Sequence, residues 1–456
     1  LAKASGKHFL SILQCLKACW KEKQVLKILF TTAYIGKEGV YDWFKYHCPE
    51  PFRLTAPSVL HPGLRFINAN LPQIEILEFP TWHQYISKIA EGWDIVGFSF
   101  FTHETNKIIE MTDYARKAGV STLWGGNYGA MNPFLDGLFD RVFVGYAEWE
   151  IAETLGVKIE RLVHPPLIYP MGIRTLPFRV QNMGAIQTQR GCPMKCVFCQ
   201  TPAFAPKPEP VPLESLDEIL RYYKSRHIDW IAMDDENFGV LAEHTEKFLE
   251  LVAKYGFYWA VMTKADIALK HLDTWNQTRF MGCGIGLESL HRDYLDSWRK
   301  NQTWDSALTL RKRLFESNRY FWGYYIIGHE KATYESTLEE IEVMAGLELG
   351  VMQVTILTPF TNTPLWDDLE SRYGIFERDW SKFDTKHLVW NHPHMTADQL
   401  HKLRWYASIR HNNPKAFGKF IWRIYNNYAS HLKSHAKALK LVSSFPIKAN
   451  LYRSTR

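Results

Sequence analysis

Cysteine is the first scarcity in this 456-residue chain: there are seven, and none follows Cys283. Three of the seven crowd into eight positions, and the odd total argues against a disulfide framework and for a reducing compartment. Long apolar runs are missing too. No stretch of about 18 apolar residues is present to cross a bilayer. Leu1 to Trp20 carries Lys3, Lys7 and Lys17 and lacks the continuous apolar core of a signal peptide. The expected location is the cytoplasm. Acidic residues vanish from His401 to Arg456, where twelve Lys and Arg stand alone, whereas 42 basic residues before that point face 48 acidic ones. The net charge of +6 therefore belongs to the tail. Histidine, finally, is absent between Met183 and Arg226.

Within that histidine gap lies the segment that organises the chain. Gln189-Arg190-Gly191-Cys192-Pro193-Met194-Lys195-Cys196-Val197-Phe198-Cys199-Gln200 spaces its cysteines C-x3-C-x2-C, on a loop expected after the apolar run 184–186. A zinc site more usually pairs two C-x-x-C units or adds histidines. Three thiolates instead suit three corners of a [4Fe-4S] cluster, because each iron takes a soft sulfur ligand. One iron is then left without a protein ligand, which is the open position that metal catalysis requires.

This segment, with Phe198 just before the third cysteine, resembles the signature of the radical S-adenosylmethionine (SAM) superfamily. The resemblance implies that Cys192, Cys196 and Cys199 bind the cluster. It also implies that the open iron takes the amino and carboxylate groups of SAM, and that one electron cleaves the sulfonium to a 5′-deoxyadenosyl radical.

Residues 1–24 read as a helix, with Phe9, Ile12, Leu13, Leu16 and Trp20 at helical spacing and Cys15 and Cys19 on one face. From 25 to 157, short apolar strands at 25–31, 74–79, 94–100, 121–126 and 141–145 alternate with helical stretches such as 105–118. That pattern predicts a doubly wound, Rossmann-like parallel sheet whose ligand binds beyond the carboxyl ends of the strands. Glycines there admit close backbone approach, and a serine can donate to a nucleotide-like tail. Ser99-x-Phe101 and Gly125-Gly126 resemble the S-x-L and G-G elements of cobalamin-binding domains. Such a domain ahead of a radical SAM core is the arrangement of the cobalamin-dependent branch. The resemblance implies cobalamin contacts from Thr32, Gly36, Ser99, Phe101, Thr102, Gly125, Gly126 and Asn127. The D-x-H-x-x-G loop of some cobalamin proteins is absent; Tyr34, Gly36 and Gly39 stand at its defined positions, implying cobalt with no histidine beneath it.

Residues 158–183, with Pro165, Pro166, Pro170 and Pro177, are expected to be an irregular linker. From 184 to 370, strands and helices repeat in a pattern that suits an α/β barrel with one active face at its strand ends. The resemblance points to a partial, six-stranded (β/α)6 radical SAM barrel. It also gives roles to the strand ends. Asp234-Asp235-Glu236-Asn237 lies where the family holds the amino group of SAM, and acidic residues suit an ammonium. Gly286-Leu287-Glu288-Ser289 matches the ribose contact. Ile326-Ile327-Gly328-His329-Glu330 resembles the strand flanking the adenine, and 358–365 resembles the closing P-x-x-x-T-P-L turn. The implied SAM-binding residues are Phe198, Asp235, Glu236, Asn237, Glu288, Ser289 and Gly328. Lys264, Asp266 and His329, also at strand mouths, are read as structural polar groups.

Residues 371–456 are expected to be mainly helical and basic, with a turn carrying Trp390, His392 and His394 over the active face. Phe417, Phe420, Ile421, Trp422, Ile424, Tyr425 and Tyr428 interleave with the basic residues, a pattern suited to peripheral contact with anionic lipid or an acidic substrate. Nucleic acid is not expected as a partner. The resemblance thus implies an enzyme that methylates an unactivated carbon of a small, apolar or anionic substrate through methylcobalamin. Its reductant would be a flavodoxin or ferredoxin. Radical ring formation or rearrangement on a lipid or tetrapyrrole is the alternative. A methylthiotransferase would need a second cysteine set, and only Cys15, Cys19 and Cys48 precede the core. A non-catalytic cobalamin or cluster sensor is the remaining class. Because the cofactors carry the radical steps, no acid–base residue is assigned.

Overall fold

The computed structural model describes residues 26–35, 60–169 and 182–432. The expected N-terminal helix with Cys15 and Cys19, Cys48, the loop residues Gly36 and Gly39, and the tail beyond 432 lie outside the described residues.

The first half is a five-stranded, all-parallel sheet in the order β2-β1-β3-β4-β5. Its elements are β1 (Ile28–Thr31), α1 (Pro62–Asn70), β2 (Ile74–Leu77), α2 (Trp82–Ile89), β3 (Ile95–Ser99), α3 (Thr105–Lys117), β4 (Thr122–Gly126), the short α4 (Asn127–Ala130), β5 (Arg141–Phe143) and α5 (Glu148–Thr154). The strands are apolar on both faces because helices cover both. Leu29, Val96 and Leu123 pack on one side with Tyr85 and Ile89 of α2 and Ile108 and Met111 of α3. Ile28, Phe30, Ile95 and Trp124 pack on the other with Leu64 of α1 and Ile151 of α5. Helix starts are locally encoded. Thr81 and Gln84 form a capping box on α2, and α1 begins with Pro62 behind His61, whose ring accepts the Leu64 N–H. The strand order reverses at β1 and β3, and a doubly wound sheet opens a crevice at such a point.

The second sheet has seven strands in the order β14-β13-β12-β11-β10-β7-β6. Its early elements are β6 (Leu167–Tyr169), β7 (Met183–Ile186), β8 (Gln189–Arg190), α6 (Thr201–Phe204), β9 (Glu209–Pro210), α7 (Leu213–Ser225), β10 (Trp230–Met233), α8 (Ala242–Tyr255), β11 (Tyr258–Thr263) and α9 (Ala265–Asn276). Then come β12 (Phe280–Glu288), α10 (Arg292–Ser297), α11 (Trp304–Glu316), β13 (Tyr320–Ile327), α12 (Tyr334–Gly346), β14 (Val351–Ile356), α13 (Pro364–Arg372), α14 (Ala397–His411) and α15 (Pro414–Leu432). β7 and β10 to β14 are parallel neighbours in chain order. β6 is antiparallel to β7 and lies inside the stretch expected to be an irregular linker. The reason is the buried Tyr223 hydroxyl on α7, which binds the backbone of both Leu167 and Ala185. Pro165 and Pro166 precede this strand, at an edge that tolerates them.

Alternation divides the second sheet. Ile231, Met233, Val261, Cys283, Ile285, Phe321 and Tyr325 join the helix-covered core. Ala232, Asp234, Met262, Gly284 and Tyr324 belong to the opposite face. The Tyr324 hydroxyl on β13 reaches Met262 Sδ on β11 at 3.0 Å, across β12, so these side chains share that face. The helices pack on the other face, so this one is the inner face of the sheet. At the amino ends of the strands, α15 rests Phe420 on Tyr320 with ring centroids 5.1 Å apart, and Asn427 donates to Phe280 O at 3.2 Å. At the carboxyl ends, Trp390 donates to Leu357 O and His392 to His329 O, at 3.2 and 3.0 Å. The aromatic turn thus packs on the tips of β13 and β14.

Candidate active site

Cys192, Cys196 and Cys199 are half-buried and unbonded, on the loop between β8 and α6. The loop is held from several directions. Cys192 N donates to Ala205 O at 3.0 Å, Val197 N to Trp298 O at 3.0 Å, and Leu365 N to Val197 O at 3.1 Å. Gly191, at φ +84°, has the backbone oxygens of Lys207 and Ala205 where a Cβ would lie, so no larger residue fits before the first cysteine. Burial raises the Cys192 thiol, and it pushes Cys196 up to about 11, partly opposed by Lys300 and reinforced by Cys199. The three sulfurs act on one another's charge, so they converge. Among the described residues no group of three His, Cys, Asp or Glu is arranged to hold a single metal ion. A cubane does not need that closeness, since its thiolates bind separate irons. Three unbonded, converging thiols with an amide and an ammonium beside them fit the cluster.

The residues expected to hold SAM divide into two groups. Asn237 faces the site: its side-chain amide points at Cys192 Sγ at 4.0 Å, while its oxygen accepts from Lys264 N at 3.2 Å. Glu236 accepts from Gly191 N at 3.1 Å and from the Tyr146 hydroxyl. Glu288, held at φ +62°, pairs with Lys300 at 2.6 Å. Burial pulls the Lys300 ammonium down, but Glu288 and Cys196 outweigh it and hold its pKa above the usual lysine value. Phe198 meets Trp298 edge-on, with centroids 5.7 Å apart. The other group serves the scaffold. Asp235 is buried and accepts from Thr188 N and Oγ1 at 2.6 and 2.5 Å; burial nevertheless pushes its carboxyl up to about 8. Ser289 donates to the buried Glu340 at 2.6 Å. Gly328, at φ +88°, turns its bare side toward Leu400 of α14. Lys264 reaches Asn301 O at 2.9 Å, and His329 stacks on Tyr294 at 3.8 Å; both act as structural groups.

The residues expected to meet cobalamin gather at the carboxyl edge of the first sheet. Gly126 has nothing nearer than 3.9 Å where a Cβ would lie. The Thr102 hydroxyl is buried without a partner. Asn127, at φ +68°, accepts from Tyr128 N at 2.8 Å, and Phe101 stacks on Tyr128 at 6.0 Å. Ser99 meets His61 Nε2 at 3.2 Å. Two are occupied by the protein itself: Thr32 is buried and accepts from Phe79 N at 2.7 Å, and the bare face of Gly125 is packed by Phe139. Gly36 lies outside the described residues. An open glycine and an orphaned hydroxyl beside the crevice fit a bound cofactor there.

Several residues that join these two edges have no local signal in the sequence. Arg190, next to the cysteine loop, forms a buried two-pronged ion pair with Glu148 at the start of α5, both contacts at 2.9 Å. Its guanidinium lies between Phe66 at 4.1 Å and Tyr146 at 4.5 Å. The Tyr128 hydroxyl reaches Thr201 at 3.1 Å, just past Cys199. Asp234 is open to the inner face yet surrounded by protein, and burial, then Glu236, push its carboxyl up to about 6. Acidic and aromatic side chains therefore meet at the seam between the cysteine loop and the first sheet.

Residues 186–344 match the sequence profile of the Radical SAM superfamily. The chain is 24% identical over 365 residues to the bacteriochlorophyllide d C-8(2)-methyltransferase of Chlorobaculum tepidum, spanning 73% of this chain and 80% of that one. Among solved structures it resembles the radical SAM methyltransferase TsrM from Kitasatospora setae, solved with tryptophan substrate and a SAM analog. The TM-score is 0.56 at 14% identity, over 76% of each chain. The cobalamin-dependent SAM radical enzyme OxsB, solved with aqua-cobalamin and SAM, gives a TM-score of 0.59 at 14% identity, over 90% of this chain and 72% of that one. At such identity these two structures establish a shared fold.

Proposed function

We propose that this chain, a member of the radical SAM superfamily through residues 186–344, is a cobalamin-dependent C-methyltransferase acting on a small molecule. The observation that carries the reading is the joining of two edges: the converging Cys192, Cys196 and Cys199 are bound through Arg190–Glu148 and Glu236–Tyr146 to the first sheet. When bound, the cluster and SAM supply a carbon-centred radical, and methylcobalamin supplies the methyl group.

The protein's own part is placement and shielding. Asn237 donates toward the Cys192 sulfur, and Lys300 offsets negative charge beside Cys196. Glu236 and Glu288 are the carboxylates available to the amino group and ribose of SAM. Asp235 and Ser289 support those strand ends from behind. Ser99, Phe101, Thr102, Gly126 and Asn127 line the cobalamin edge, and Tyr128 stands between it and the cluster loop. Asp234, Met262 and Tyr324 lie on the inner face of the second sheet, where an apolar substrate with a polar handle would bind.

In this reading the chain divides into 1–24, 25–157, 158–183, 184–370 and 371–456, the fourth carrying the six-stranded partial barrel, to whose edge β6 of the third adds an antiparallel strand. Flavodoxin or ferredoxin is the electron donor in this reading, in a reducing, cytoplasmic setting. Among the described residues no helix is long and apolar enough to cross a membrane; contact of the basic tail with a membrane surface belongs to the proposal. The test is anaerobic reconstitution with iron, sulfide and cobalamin. About four irons per chain are expected, with an absorbance change when cobalamin is added. About eight irons would favour a methylthiotransferase instead, and an unchanged cobalamin spectrum would overturn the cobalamin assignment.

A further inference from the structure

We propose that His61 is a positioning residue for the cofactor: it fixes the Ser99 hydroxyl as a hydrogen-bond donor to an acceptor on the nucleotide tail of cobalamin. This rests on the cobalamin reading above. His61 lies at the N-cap of α1, 38 positions before Ser99, and its ring nitrogens have separate duties. Nδ1 accepts the Leu64 N–H at 3.1 Å. A ring nitrogen that accepts carries no proton, so in the neutral ring the proton is on Nε2. Burial pulls the imidazole pKa down to about 4, so neutral is the form present. Nε2–H therefore donates to Ser99 Oγ, 3.2 Å away.

The direction of that bond decides what Ser99 can do. A hydroxyl that accepts from His61 keeps its own proton for another acceptor, and none is bonded to it among the described residues. Ser99 is only partly covered and ends β3 beside the crevice between β1 and β3. The backbone that carries the ring is held as well. His61 N donates to Glu78 Oε1 at 2.6 Å, and Glu78 is locked by Arg65 at 2.7 Å. The hydroxyl proton is thus kept available, before any ligand arrives, at a strand end whose β4 neighbour Gly126 leaves room. Phosphate oxygen or the base nitrogen of the tail supplies the acceptor.

The test separates the cap from the aim. In His61→Asn the shorter amide still accepts the Leu64 N–H, since Asn is a good N-cap, but it does not reach Ser99. Binding of aquacobalamin to the full chain, followed by absorbance, is expected to weaken about tenfold in His61→Asn, which is about 1.4 kcal/mol. Ser99→Ala should weaken it equally, and the double variant no further, because both remove one hydrogen bond. Cofactor-free His61→Asn should remain folded at the temperature of the binding assay, with its thermal midpoint lowered by about as much as in Ser99→Ala, since each loses the same hydrogen bond. In the electron paramagnetic resonance spectrum of bound cob(II)alamin, both single variants should show more of the nitrogen splitting that marks a tail seated on cobalt. Wild-type affinity in His61→Asn, or effects that add in the double variant, would overturn the inference while leaving the cobalamin reading intact. Failure of the wild-type chain to bind aquacobalamin would overturn both.

Discussion

The buried pair Arg190–Glu148 offers the sharpest test of how the cysteine loop is held. The side chains are 6% and 2% exposed, and both guanidinium prongs are engaged at 2.9 Å. Arg190→Met removes one partner and strands a carboxylate away from water, a change that costs about 3–5 kcal/mol. Loss of the guanidinium's stacking on Phe66 and Tyr146 adds to it. Glu148→Met on top of Arg190→Met removes the stranded charge, and the double variant should recover to within about 1 kcal/mol of wild type. The assay is hydrogen exchange of the cofactor-free chain, read in peptides covering 184–200 and 147–155, since a two-sheet protein need not open as one unit. At 1.4 kcal/mol per tenfold, the single variant should exchange about a hundredfold faster or more in both peptides. Single-variant exchange within about threefold of wild type, or a double variant no slower than the single, would refute the view that this pair fastens the loop to the first sheet.

Three further outcomes are expected. The Asp235 carboxyl has a folded pKa of about 8, above the ordinary unfolded value near 4, so the stability it contributes is complete below about pH 4 and lost as pH rises through about 8. Unfolding midpoints of cofactor-free protein should fall between pH 5 and about 8 by more in wild type than in Asp235→Asn; equal pH profiles would contradict this. Lys300→Met should slow alkylation of Cys196 by iodoacetamide at neutral pH, because the ammonium opposes the rise of a thiol already at about 11; unchanged or faster labelling would count against the electrostatic role. Gly286→Ala sets a methyl into the Glu288–Lys300 pair, within 2.6 Å of the ammonium, and should lower SAM affinity at least tenfold, with wild-type affinity as the refuting result.

What the sequence made legible followed from local pattern. The C-x3-C-x2-C spacing, the strand ends after β10, β12 and β13, and both alternations of strand and helix are written in neighbouring residues. What stayed hidden was made by partners far apart in the chain. Tyr146 and Glu236 are separated by 90 positions, Arg190 and Glu148 by 42, Ser99 and His61 by 38. A strand-end motif also does not say which of its polar groups faces the ligand. Asp235 and Ser289 turned toward Thr188 and Glu340, while Glu236 and Asn237 turned toward the cysteine loop. The strand β6 was masked by the prolines before it, because its reason for existing, the Tyr223 hydroxyl, belongs to another element.

The most direct test of the central claim is one anaerobic incubation of the reconstituted chain with cobalamin, a strong reductant and SAM, followed by mass-spectrometric analysis of the nucleoside products. Both 5′-deoxyadenosine, from reductive cleavage, and S-adenosylhomocysteine, from methylation of reduced cobalt, are expected, with the first lost in Cys196→Ala. A chain that holds a full cluster and cobalamin yet forms neither product would contradict the claim.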